Sequence, residues 1–313
     1  MRKRLLLISG FILAAALTGC NVKTQEPPVD DKHAVETQKE DQFTGEWIVD
    51  AEYAKSRVGE EDTLFVDSRG EGQAILGTIE GAIATTWSDW CIKEGQQGDE
   101  NWGKIQEPEV LSETLGNLGI SKEKEIILLG ETLTGWGDDA RLLWELRAAG
   151  YTDVKMVDGG YAALKASGAP TKMMAAKPEK AEVKIKSIDY AHVMTTEELL
   201  ANYDDYKIVD VRTDEEYNGE ILFNEAQGGR LPGAIHIRYT DLFKADGTLK
   251  SNEELITMFE DAGLTKEDAI VTYCTGGIRS AYTQLVLEMC GFENSYNYDQ
   301  SFWRWAVIGE VEK

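Results

Sequence analysis

The chain has 313 residues, room for about two domains, and its 42% hydrophobic and 28% charged residues are the balance of a globular protein with real cores. Thirty-two basic residues against 56 acidic ones give a formal net charge of -24. That excludes nucleic acid as a partner, because a phosphate backbone needs a basic surface, and it argues against broad electrostatic attraction to anionic lipid. An anionic substrate has to be captured by a local positive site.

Arg2, Lys3 and Arg4 precede a mostly apolar run, residues 5–17, broken only by Ser9 and Gly10. The run is short of the roughly 20 residues that span a bilayer, and residues 1–19 read as a secretory signal. Leu17-Thr18-Gly19-Cys20 resembles a bacterial lipobox. The resemblance implies cleavage before Cys20 and a diacylglyceryl group on its thiol, and hence an extracytoplasmic protein tied to a bacterial membrane by a lipid anchor. The alternative is a plain secretory signal with an incidental cysteine. Residues 20–44 are polar, carry Pro27 and Pro28, and read as a flexible tether. Beyond Cys20 the cysteines are Cys91, Cys274 and Cys290. An odd number leaves at least one thiol free.

From Trp47 the texture is globular. Leu64-Phe65-Val66 and Ile126-Ile127-Leu128-Leu129 predict buried strands, and residues 139–149 predict a helix with Leu142, Leu143 and Leu146 on one face. Strands alternating with helices predict an α/β fold, a parallel sheet with helices on both faces. Residues 45–173 form the first predicted domain, the polar stretch 174–188 around Pro178 a linker, and residues 189–313 the second domain. The two halves repeat each other. Phe65-Val66-Asp67-Ser68-Arg69 matches Ile208-Val209-Asp210-Val211-Arg212, Gly81-Ala82-Ile83 matches Gly233-Ala234-Ile235, and Gly150 and Asp158 match Gly291 and Asp299.

The segment richest in chemistry runs from Ala269 to Ser280. An apolar, β-branched run delivers the chain to Cys274; Thr275, Gly276, Gly277, Ile278 and Arg279 follow; Ser280 opens a helical stretch. A strand, a tight glycine loop and a helix N-terminus aim backbone N–H groups at an anion. A thiolate there is favoured by those dipoles and by Arg279. The alternative is a buried core cysteine at a strand end. In the first half, Ile126 to Leu129 open instead into Gly130-Glu131-Thr132-Leu133-Thr134-Gly135-Trp136-Gly137-Asp138-Asp139, with no cysteine and three acidic residues.

On these residues the chain resembles the rhodanese family. Residues 274–279 are similar to its six-residue active loop; Asp210-Val211-Arg212, residues 230–235 and residues 298–305 are similar to three further family stretches. The resemblance implies two tandem rhodanese-like domains, the first inactive, the second catalytic. It implies that Cys274 takes the sulfane sulfur of thiosulfate or 3-mercaptopyruvate as a persulfide and passes it to cyanide or a thiol. Residues 275–280 would bind the small anionic donor, with Arg279 as the local positive charge; if Arg279 is structural instead, an acidic residue such as Asp210 is its partner. Asp210 and Arg212 are either supports of the site or a structural pair, and Trp303 either walls the pocket or belongs to the core. No cofactor and no metal is implied, and His33, His192 and His236 have no metal-ligand spacing. Two other readings stay open: a non-catalytic module that senses sulfur or binds a protein, and a cysteine phosphatase, whose loop places five residues between cysteine and arginine where this chain has four.

Overall fold

The computed structural model describes residues 41–313. The signal segment 1–19, Cys20 and the tether up to residue 40 lie outside the described residues. The last tether residues are not free chain. Phe43 is buried in the core, and Thr44 receives and donates hydrogen bonds at Asn252. One aromatic side chain in a polar stretch suffices to dock it.

Each half builds one five-stranded, wholly parallel sheet. The first runs, edge to edge, Ile48–Val49, Val154–Val157, Glu125–Leu129, Thr63–Asp67, Ile83–Ala84. The second runs Val193–Met194, Ser295–Tyr298, Ile270–Tyr273, Lys207–Asp210, Ile235–His236. Position for position these are the same sheet, as the repeated landmarks require. Ile126, Ile127, Leu128 and Leu129 are all fully buried. A strand apolar on both faces belongs between two layers of helices.

The two halves meet through the helices that follow their central strands, Asp138–Ala148 and Ile278–Met289. Leu143, Trp144, Ala281 and Leu285 share one apolar core. Arg147 grips Glu288 with two hydrogen bonds of 2.8 and 2.7 Å. Arg141, fully buried, reaches the Gly277 carbonyl at 3.1 Å and pairs with Glu145 at 2.8 Å. The segment between the sheets is strapped down: the Ala181 N–H donates to the Gly116 carbonyl and the Ile185 N–H to Ser112 Oγ, both on the helix Pro108–Leu118. Among the described residues no helix is long and apolar enough to cross a membrane.

Candidate active site

The strand Ile270–Tyr273 delivers the chain to Cys274, and the helix Ile278–Met289 begins four residues later behind Gly277, two residues earlier than its polar start at Ser280 suggested. Gly277 has φ 82°, and a Cβ on it would meet the Asp299 carbonyl at 2.1 Å. Only glycine fits that backbone and that space. Gly276 is equally constrained, since a Cβ there would meet the Trp303 ring at 2.2 Å. The close approach turns the Gly277 N–H onto Cys274 Sγ at 3.2 Å. Ser280 Oγ lies 3.7 Å from the same sulfur and 2.6 Å from Asn297 Oδ1. On the other side, the Cys274 N–H donates to Ser301 Oγ at 3.1 Å, and the Cys274 and Thr275 carbonyls accept from the Phe302 and Trp303 N–H groups. Ser301 holds φ 50°, a left-handed backbone that a non-glycine residue adopts at a cost.

Cys274 is only 2% exposed. Burial alone would raise its pKa. The Arg279 charge, the Ser280 N–H and hydroxyl, and the Gly276 N–H outweigh that, so the thiol is more acidic than usual. Cys91 and Cys290 have no such surroundings, and burial pushes each up to about 12. The structure thus separates one activated thiol from two inert ones.

Arg279 is not a free cation. Its two terminal nitrogens hold both oxygens of Glu216 at 2.7 and 2.8 Å, and one also reaches Thr275 Oγ1 at 2.9 Å. The Thr275 hydroxyl donates to Glu216 in turn at 2.5 Å. Burial would raise the Glu216 carboxyl, but Arg279 and Thr275 bring it down to about 2. The expected alternative partner, Asp210, is elsewhere: it lies at the end of its strand and accepts two bonds from Arg212 Nε and one of 2.7 Å from the terminal nitrogen, together with the Tyr273 hydroxyl. The physical reason is reach. Glu216 sits on the short helix Asp214–Tyr217, closed by a Thr213 capping box, and that turn points its carboxylate into the loop. Thr213-x-x-Glu216 is a visible capping signature; nothing in the sequence showed that the same glutamate also meets Arg279.

A pocket of about 260 Å³, open mouth included, leads to the sulfur past Thr275, Gly276, Ile278 and Arg279. Trp303 both packs in the core and lines this pocket, with its indole N–H on the Phe223 carbonyl at 2.8 Å. Phe223 and Trp136 complete the wall as an edge-to-face pair, 5.4 Å between centroids. Trp136 belongs to the first half. Neither residue stood out in the sequence, because each comes from a loop with no periodic signal. His236 lies outside the pocket, stacked on Tyr217 with Nε2 at the Arg212 carbonyl.

The family description "Rhodanese-like domain" matches residues 50–167 and again 195–307. The chain belongs to the rhodanese family. Among similar rhodaneses, a protein of Mycolicibacterium smegmatis named "Putative thiosulfate sulfurtransferase" is 29% identical over 84% of this chain and 95% of its own length. A Haloferax volcanii protein of the same name is 30% identical over 74% of this chain and 82% of its own. The sulfur carrier protein TtuD of Thermus thermophilus is 30% identical over 84% and 92%. In fold, the rhodanese pair resembles the anaerobic ergothioneine biosynthesis enzyme of Chlorobium limicola, with a TM-score of 0.74 at 19% identity over 85% of this chain and 70% of that one.

Proposed function

We propose that this sulfurtransferase moves a sulfur atom from a small donor, the sulfane sulfur of thiosulfate or the thiol sulfur of 3-mercaptopyruvate, to a thiophilic acceptor such as cyanide or a thiol, through a persulfide on Cys274. The observation that carries this is the activated thiol at the head of a helix, with the Gly277 N–H already on its sulfur. Family membership and the names borne by the relatives support sulfur transfer. With thiosulfate, the Cys274 thiolate attacks the outer sulfur, a Sγ–S bond forms, and sulfite leaves with the electrons of the broken S–S bond. The loop N–H groups hold the negative sulfur before and after transfer. An acceptor nucleophile then takes the outer sulfur and returns the thiolate. The Arg279–Glu216 pair shapes the loop and biases the thiol.

In this reading the protein is also extracytoplasmic and held to its membrane by a lipid on Cys20. Signal, apolar run and lipobox-like motif support that, and loss of detergent-phase partitioning in Cys20→Ala tests it.

Intact-mass measurement after thiosulfate treatment tests the sulfur chemistry. Wild type is expected to gain one sulfur and Cys274→Ser none, because a hydroxyl is far too weak an acid to carry sulfur at neutral pH. Full sulfur uptake by the serine variant sinks the assignment. Folded wild type that takes up no sulfur favours a binding module.

A further inference from the structure

Beside the small pocket lies a wider vestibule of about 820 Å³. Three residues line both: Trp136, Phe223 and Arg279. They form a neck where the two cavities adjoin. Two of the three are aromatic, and Trp136 is 43% exposed, with Phe223 on one side and open space toward the vestibule. Leu133, also exposed and on the same first-half loop, extends the apolar rim.

The electrostatics of the approach run against anions. The cations lining pocket and vestibule among the described residues are Arg212, Arg238 and Arg279. Each is matched: Arg212 by Asp210, Arg238 by Asp214 and Asp241, Arg279 by Glu216. Glu215 on the vestibule wall is a further carboxylate. Local and overall charge therefore have the same sign, and a low-dielectric cleft focuses that field on a charged visitor.

We propose that the Trp136–Phe223 neck selects the sulfur acceptor, and that the acceptor is a thiol borne on an apolar or aromatic body without net negative charge. This rests on the persulfide reading of Cys274. In the transfer step the acceptor thiolate attacks the outer sulfur of the persulfide; the new bond joins the two acceptor-side sulfurs, the Cys274 S–S bond breaks, and its electrons return to Cys274 as thiolate. The acceptor leaves as a hydropersulfide, and no outside oxidant or reductant is needed. The Trp136 face and the Leu133 side chain bury the apolar body in the vestibule while the sulfur passes the neck. Trp136 is then a specificity residue supplied by the half of the molecule whose strand-to-helix loop has no cysteine.

The test is a competition among acceptors on protein preloaded with sulfur, at matched thiolate concentrations: phenylmethanethiol (apolar, neutral), cysteamine (cationic) and mercaptosuccinate (dianionic). The readout is the ratio of kcat/KM values. Wild type is expected to favour phenylmethanethiol over mercaptosuccinate by about tenfold or more, a span that pocket contacts of this kind supply, with cysteamine between. Trp136→Ala is expected to lower the ratio by about threefold or more, leaving the share due to charge that salt screens, and Trp136→Phe to keep most of it, since the edge contact to Phe223 survives. Salt is expected to raise the mercaptosuccinate rate alone, by screening. Equal rates for the three thiols in wild type, or a ratio that persists in both Trp136→Ala and Phe223→Ala, overturns the proposal while leaving the persulfide reading intact. Absence of sulfur on Cys274 after loading overturns both.

Discussion

The two halves hold the same strand-to-helix corner with different occupants. In each, a helix starts behind a left-handed glycine, Gly137 (φ 76°) or Gly277 (φ 82°). In each, the first residue after the central strand offers its carbonyl to the head of the next helix: the Tyr161 N–H meets the Gly130 carbonyl at 3.0 Å, and the Phe302 N–H meets the Cys274 carbonyl at 3.0 Å. Gly130 therefore stands where Cys274 stands, and Gly160 (φ 60°) where Ser301 does. The second half has a thiol at the corner. The first half has Asp139, whose carboxyl packs so closely on Gly130 that a Cβ there would meet it at 2.2 Å. A helix N-terminus is a seat for negative charge. Duplication kept the seat; one copy seats a sulfur and the other seats its own carboxyl, leaving no room for a thiol.

Arg279 and Asp139 each sit two residues past their glycine, so the comparison turns on what stabilises each. Arg279 is buried, and Glu216 is its ion-pair partner among the described residues. Glu216→Ala is expected to cost about 3–5 kcal/mol, the usual penalty for stranding one partner of a buried pair, read from urea unfolding. In whatever fraction folds, Cys274 alkylation is expected to shift to lower pH, since the Arg279 charge is no longer neutralised. Unchanged stability and an unchanged pH profile together would show that Arg279 finds another partner and that the two corners are less different than they look.

Both halves also carry the Asp-x-Arg pair, with nearly superimposable bonds: Arg69 Nε and terminal nitrogen to Asp67 at 2.9 and 2.7 Å, and Arg212 to Asp210 at 3.0 and 2.7 Å. Each arginine also reaches a carbonyl, Gly77 or Gly229. A pair present in the half whose corner holds no cysteine belongs to the fold. Asp67→Asn and Asp210→Asn are accordingly expected to destabilise by similar amounts, about 1.5–3 kcal/mol each for lost charge-assisted bonds. Sulfur transfer in folded Asp210→Asn is expected to stay close to wild type. A large loss in kcat at undiminished stability would return Asp210 to the site.

These comparisons also mark what the sequence made legible. Two parallel sheets, the duplication, the glycine loop and Cys274 at its head all follow from local pattern: apolar strand runs, helical spacing, and glycines where the backbone must be left-handed. Glu216, Phe223 and Trp136 did not, because their roles come from segments meeting across more than fifty residues of chain, and from one domain reaching into the other. Arg279 was readable as a charge but not as a charge already spoken for. Phe43 reads as tether in the sequence because a single aromatic leaves no period.

The smallest effect expected concerns the carboxyl that replaces the thiol. Asp139 is fully buried, with one oxygen on the Ala140 N–H at 3.0 Å and the other without a partner. Burial raises its pKa to about 7, and the neighbouring Asp138 adds to this. In the unfolded chain the same group titrates near 3.8. Between those values the folded state binds the extra proton, so stability falls as pH rises, and the fall levels off above about 7. From pH 6 to pH 8 this one group is expected to remove about 1.4 kcal/mol, roughly one pKa unit of linkage. Asp139→Asn keeps the shape and cannot ionise, so its stability curve is expected to lack that share of the slope while Asp138, Asp158, Asp299 and Glu145, also raised, keep theirs. The measurement is urea unfolding of both proteins at pH 6 and pH 8. Parallel curves would mean that Asp139 is ionised and paired when folded, and the carboxyl at this corner would then be as stably charged as the sulfur at the other.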